Sequence, residues 1–232
     1  LVKGAPDVRS AGTDWYYDFS ADGIKRSIAE SLKRLQLDRV DILYIHDADD
    51  YVDQAVAEAW PVIEQLRSEG VVRAVCAGNT TVPTLLRFAR ETTMDFFLVA
   101  GRYTMLADDA QDELLPLCIE KGIGIVIAQA LHGGLIDGVA DPQLYYQPTD
   151  DATKAKVARI AAICHAYGVP TAAAAIQFPL AHPAVAGVLT GPETAEQLRG
   201  NLEWVTTDVP VAIWAELKAE GLLRQDAVVP GA

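Results

Sequence analysis

The chain has 232 residues, half of them hydrophobic and 22% charged, which is enough to bury a substantial core and excludes a disordered chain. Nineteen Lys and Arg against 32 Asp and Glu give a formal net charge of -13, a field that opposes binding to a nucleic-acid backbone. No run approaches the ~20 apolar residues of a membrane span, and Leu1 to Ser10 lack a secretory signal pattern, so a cytoplasmic protein without a membrane partner is expected.

Residues 1–20 read as a loop containing Gly4, Pro6 and Gly12. Ser20 then caps a helix whose Ile24, Ile28, Leu32 and Leu35 share one face. A strand is expected from Asp41 to His46, followed by a helix with Val56, Ala59, Ile63 and Leu66 on one side. Gly70 ends that helix before the strand Val71 to Ala77. The alternation continues as helix Val82 to Arg90, strand Asp95 to Val99, helix Asp112 to Lys121 and strand Gly122 to Ala128. After a loop with Pro142 and Pro148 come helices Asp151 to Tyr167 and Thr171 to Leu180, the strand Val185 to Leu189, and closing helices Thr194 to Trp204 and Val211 to Gly221.

Apolar strands separated by helices imply an α/β fold with a parallel sheet, either doubly wound or closed into a barrel. The chain offers five strands, whereas a closed barrel needs eight βα units and about 250 residues. Cys76, Cys118 and Cys164 are too far apart for a short zinc motif and read as buried free thiols.

His46 ends its strand at the side where α/β folds assemble their sites, with a hydrogen-bonded loop histidine as the plainer alternative. Asn79 follows the next strand, where its amide suits either a ligand carboxamide or a turn. The glycines of Leu131-His-Gly-Gly-Leu135 allow backbone N–H groups to approach an anion, and Thr194 and Gln197 stand at capping-box spacing after Gly191. Gly-x-Gly-x-x-Gly after an early strand is absent, which removes the main support for a Rossmann domain. His132, His165 and His182 show no metal-ligand spacing, so no metal is expected. The acidic run Asp47, Asp49, Asp50 and Asp53 suits a cation, a polyhydroxylated ligand or simply a solvated loop.

The run Asp18-Phe-Ser-Ala-Asp-Gly-Ile-Lys-Arg-Ser, continued to Asp41-Ile-Leu-Tyr-Ile-His46-Asp47, closely resembles the aldo-keto reductase family. The likeness extends through Ala100-Gly-Arg-Tyr-Thr-Met-Leu106, Gly133-Gly-Leu135 and Phe178-Pro-Leu-Ala-His-Pro-Ala-Val185 to Asn201, and points to the branch of aldose (L-fucose, L-galactose) and pyridoxal dehydrogenases. The resemblance implies a (β/α)8 TIM barrel binding a nicotinamide cofactor, with this single domain supplying strands four to eight and the first three absent. The chain is therefore expected to be N-terminally incomplete or completed by a partner.

Of the family's Asp, Tyr, Lys and His, the resemblance matches His46 alone as catalytic. Lys3, Tyr16 and Tyr17 are not given those roles, because Lys3 lies closer to the Asp18 motif than the family lysine does. For the cofactor it implies Asn79 at the nicotinamide carboxamide, Tyr103 on the cofactor side, Gly133, Gly134 and Leu135 around the pyrophosphate, and Gly191, Glu193, Gln197 and Asn201 near the adenosine ribose. Glu193 and Gln197 are not cations, so NAD is expected in preference to NADP. The implied reaction is oxidation of a small-molecule sugar at C1 to its lactone. Oxidation of pyridoxal or another aldehyde or alcohol, and a non-catalytic cofactor-binding module lacking the Tyr acid/base, are the alternatives.

Overall fold

The computed structural model describes residues 2–4, 17–136, 138, 143–144 and 147–231. It divides into two compact units, Leu1–Val99 with Asp112–Ile125, and Ala100–Gln111 with Val126–Ala232.

The first unit is built on parallel strands β1 (Val2–Gly4), β2 (Val40–His46), β3 (Val72–Asn79) and β4 (Phe96–Ala100). β1 corrects the reading of residues 1–20 as loop and raises the strand count of the main sheet above the five expected. Three residues beginning before Gly4 and Pro6 carry no local strand signal; they are extended because β2 offers a ladder, with Val2 opposite Leu43 and Gly4 opposite Ile45. Pro6, Gly12 and Tyr16 lie outside the described residues. Leu43, Tyr44 and Ile45 of β2 and Val75 to Asn79 of β3 are buried in succession, as strands covered on both faces require.

Helix α1 (Ala21–Leu35) starts where Ser20 Oγ accepts the Gly23 N–H at 3.0 Å. Asp18 holds that cap, accepting from Ser20 Oγ at 2.6 Å and pairing with Arg26 at 2.8 Å, and these hydrogen bonds, Ser20's foremost, lower its carboxyl pKa. Ile24 and Ile28 are buried as expected, whereas Leu35, in the last turn, is 51% exposed.

The next helical stretch departs further from expectation. A 3₁₀ turn (Asp49–Tyr51) and α2 (Val52–Gln54) lead through a π-turn (Ala55–Ala59) into α3 (Trp60–Ser68). The wider π-turn rotates the apolar face, so Ala55, Ala59, Val62 and Ile63 are buried while Val56 and Leu66 are only half-buried. Gly70, at φ +76°, closes the stretch in a left-handed conformation suited to glycine. Helix α4 (Val82–Glu91) buries Leu85, Phe88 and Ala89, and α5 (Leu114–Lys121) buries Leu114, Leu115 and Cys118. Strand β5 (Gly124–Ala128) begins beside β4, with the Gly124 N–H donating to the Asp95 carbonyl at 3.1 Å.

In the second unit, a short antiparallel pair, β6 (Gln143–Leu144) and β7 (Gln147–Pro148), stands where a plain loop was expected; Pro142 lies outside the described residues. Asp150 caps α6 (Asp151–Ala166) by accepting the Thr153 N–H at 2.8 Å. The Ala-rich α7 (Thr171–Leu180) is buried along most of its length, and Phe178 on it packs 6.3 Å from Trp214 of α9 (Val211–Ala219). Strand β8 (Val185–Leu189) is only partly buried, with Leu189 46% exposed. Helix α8 (Ala195–Thr206) opens with the expected capping box of Thr194 and Gln197.

Among the described residues no single helix is long and apolar enough to cross a membrane; α6 and α7 reach that apolar length only as a pair bent by 100°.

Candidate active site and cofactor cavity

The first unit carries His46 at the C-terminal end of β2, in register with Gly78 of β3. Its imidazole Nδ1 lies 3.3 Å from the Asp47 carboxylate, and both groups keep part of their surface in solvent. Asp47 adopts a left-handed conformation, φ +51°, and its N–H donates to the Gly78 carbonyl at 3.0 Å, locking the loop onto the strand ends. Tyr17 stacks on Phe19 at 5.9 Å and meets Tyr51 at 5.7 Å. Burial first, then Asp47, Asp49 and Asp50, raise the Tyr17 phenol pKa, so a negative potential surrounds this end of β2. The acidic run is partnered: Asp49 accepts from the Thr81 hydroxyl, and Asp53 pairs with Arg87.

Asn79 is the second expected residue of this unit, one position beyond Gly78. It is 1% exposed, and among the described residues neither its Nδ2 nor its Oδ1 has a hydrogen-bond partner. A buried amide with donor and acceptor both unpaired is costly unless a ligand completes it, and a carboxamide is the complementary group. Lys3 holds none of the expected site roles. The ladder puts it opposite Tyr44, on the strand neighbouring that of His46; only the pairing of β1 with β2 makes that neighbourhood visible.

The second unit encloses a cavity of about 930 Å³. One wall is the turn after β5, where Gln129 (φ +60°), His132 (+48°), Gly133 (+63°) and Gly134 (+91°) are all left-handed. Glycine takes that conformation freely, whereas Gln129 and His132 are strained in it. The other wall runs from Leu189 to Glu193 and along the first turns of α8. The structure thus gathers Gly133, Gly134, Gly191, Glu193, Gln197 and Asn201 around one space; Leu135 follows the turn but does not line it.

Gln197, Asn201 and Tyr103 also carry structural roles. Gln197 Oε1 accepts the N–H of Glu193 at 2.6 Å and of Thr194 at 3.1 Å, so its carbonyl end caps the helix. Asn201 Nδ2 donates to Thr190 Oγ at 3.0 Å and braces the wall. Tyr103 is fully buried against Phe178 and His182, each at 5.3 Å, and does not line the cavity; burial pushes its phenol up to about 12.

His132 and Gln129 were not foreseen as site residues. His132 is 1% exposed, its Nε2 lies 2.7 Å from Thr104 Oγ, and burial, aided by Lys156 and Arg102, lowers its pKa to about 4. The His132 Nδ1 and the Gln129 Oε1 have no partner among the described residues. Nothing in their spacing signals this, because it depends on packing of the turn. His165 is exposed on α6, and burial lowers the pKa of His182, whose Nδ1 accepts the Ala184 N–H at 3.2 Å. No group of three or more His, Cys, Asp or Glu suited to a metal ion occurs among the described residues.

The sequence profile of the Aldo/keto reductase family matches residues 3–219. The chain belongs to the aldo/keto reductase family. This aldo/keto reductase is 42% identical over 96% of its length to a D-threo-aldose 1-dehydrogenase from Pseudomonas sp, of which it covers 73%. It is 32% identical over 89% of its length to a pyridoxal 4-dehydrogenase from Microbacterium luteolum, covering 64% of it. It is also 33% identical over 82% of its length to an L-galactose dehydrogenase from Arabidopsis thaliana, covering 60% of that protein. An aldo-keto reductase from Bacillus halodurans, in its holo form, superposes with a TM-score of 0.70 at 23% identity, covering 92% of this chain and 70% of that one. The fold is accordingly of TIM-barrel type, and the aldo/keto reductase is an NAD(P)-dependent oxidoreductase. The glycine turn and the roomy cavity of the second unit fit a dinucleotide.

Proposed function

We propose that this aldo/keto reductase oxidises an aldose of the L-fucose or L-galactose type at C1, yielding the lactone. The observation that carries the reading is the 42% identity to D-threo-aldose 1-dehydrogenase over 96% of this chain. In the net reaction the cyclic hemiacetal loses the hydride on C1 and the proton on O1, and the products are lactone, reduced cofactor and a proton. When bound, the nicotinamide ring accepts that hydride.

The chain's own residues divide the remaining tasks. Asn79 takes the carboxamide, the Gly133 and Gly134 backbone approaches the pyrophosphate, and Glu193 accepts a ribose hydroxyl. Glu193 and Glu196 line the cavity with no lysine or arginine among its lining residues, which supports NAD over NADP. His46 orients the substrate oxygen, and the Asp47 carboxylate holds the imidazole. The chain passes between its two units three times, at 99/100, 111/112 and 125/126, which supports a single domain. Three buried free thiols suit a reducing, cytoplasmic setting.

The test is steady-state kinetics with NAD on L-fucose, L-galactose and pyridoxal. A higher kcat/KM on an aldose carries the proposal, and a preference for pyridoxal transfers it to the aldehyde-dehydrogenase reading. His46→Ala is expected to lower kcat by about 10²–10⁴ with little change in NAD affinity.

A further inference from the structure

The wall of the cavity contains a hydrogen-bond donor that the fold leaves unused. Thr104 Oγ accepts the backbone N–H of Leu106 at 3.1 Å and of Ala107 at 3.2 Å, which occupies both lone pairs of the hydroxyl. Its own hydrogen is then directed to His132 Nε2, 2.7 Å away. A neutral imidazole that accepts at Nε2 carries its proton on Nδ1. His132 is kept neutral by burial and by the cations Lys156 and Arg102, while Thr104 sets the tautomer. The resulting Nδ1–H is buried without an acceptor among the described residues, on a residue that lines the cavity.

Two neighbours indicate what completes it. Gln129, on the same turn, leaves Oε1 buried without a donor, so the wall presents one unused donor and one unused acceptor three residues apart. Among the described residues no lysine or arginine lines the space, so an anionic oxygen entering it depends on N–H groups. A phosphate ester of a ribose carries an acceptor oxygen and a donor hydroxyl in close succession.

We propose that His132 is a cofactor-binding residue whose Nδ1–H, set by Thr104, donates to a phosphate oxygen of the dinucleotide held in this cavity. The proposal rests on the reading of the cavity as the dinucleotide site. It assigns a side chain where the glycine turn otherwise offers backbone alone.

The test combines binding and spectroscopy on the intact protein. ¹⁵N-histidine NMR is expected to show His132 as the Nδ1–H tautomer and to show that signal shifting on saturation with NADH. His132→Gln keeps an acceptor for Thr104 near the Nε2 position and lacks the Nδ1 donor, whereas His132→Asn keeps a donor near the Nδ1 position. By fluorescence titration the Kd for NADH is expected to rise about tenfold in His132→Gln and to stay within about threefold in His132→Asn. A Kd unchanged in His132→Gln, or an Nδ1 signal unmoved at NADH saturation, overturns the proposal and leaves the dinucleotide reading standing. Failure of the unsubstituted protein to bind NADH overturns both. The tautomer measurement needs no variant, so a misfolded substitution does not remove the test.

Discussion

Gln197 fastens Glu193: its side-chain carbonyl accepts the Glu193 backbone N–H at 2.6 Å, while Thr194 Oγ accepts the Gln197 N–H at 3.2 Å. The capping box that starts α8 thereby also sets the position of a cavity-lining carboxylate. Replacing Glu193 by Lys exchanges repulsion of a 2′-phosphate for attraction, and the ratio of kcat/KM for NADP over NAD is expected to rise by about tenfold or more. Gln197→Ala is expected to cost about 1 kcal/mol in urea unfolding, from loss of the reciprocal cap.

Asn79→Leu separates stability from binding. The substitution removes two buried polar atoms that have no partners among the described residues, and the melting temperature of the free protein is expected to rise by about 2–4 °C. Affinity for NADH is expected to fall at least tenfold, measured by fluorescence titration. A melting temperature lowered by several degrees would show that the amide is satisfied in the free protein.

Acid is expected to destabilise the fold through buried histidine. His132 falls from the ordinary 6.5 to about 4 on folding, so between those values the unfolded chain binds the extra proton. Stability therefore rises with pH across that window, is complete above 6.5, and is lost as pH falls toward 4, by up to about 3 kcal/mol. Burial shifts His182 the same way. Urea unfolding at pH 7 and pH 4.5, with His132→Gln flattening the difference, measures the effect.

Asp95 anchors the first unit from the start of β4. Its carboxylate accepts the Val75 N–H at 2.7 Å and pairs with Arg67 at 2.9 Å, and Arg67 also donates to the Thr93 carbonyl at 3.0 Å. Asp95→Ala is expected to cost about 1–2 kcal/mol by urea unfolding, chiefly through the unpaired Val75 N–H. Asp95→Asn keeps an acceptor for that N–H and is expected to cost less.

The elements with strong local signals were legible in the residues. Ser20, Gly70 and the Thr194–Gln197 pair mark ends of helices because their hydrogen bonds and dihedral preferences act over a few positions. The runs Val72 to Asn79 and Gly124 to Ala128 are apolar in succession or alternation because covered strands exclude water. His46 and Asn79 were visible for the same reason: each stands at the end of such a run.

What the tertiary structure alone decided depends on distant partners. Val2–Gly4 is a strand because β2 supplies its ladder, and Lys3 thereby stands opposite Tyr44. The π-turn at Ala55–Ala59 moved the buried face away from Val56 and Leu66, a choice made by packing rather than by periodicity. Tyr103 went to the core, and His132 to the cavity wall beside Thr104, 28 residues earlier in the chain. Propensity and spacing report on neighbours in sequence; whether a polar atom is left without a partner is settled only when the whole fold has closed around it.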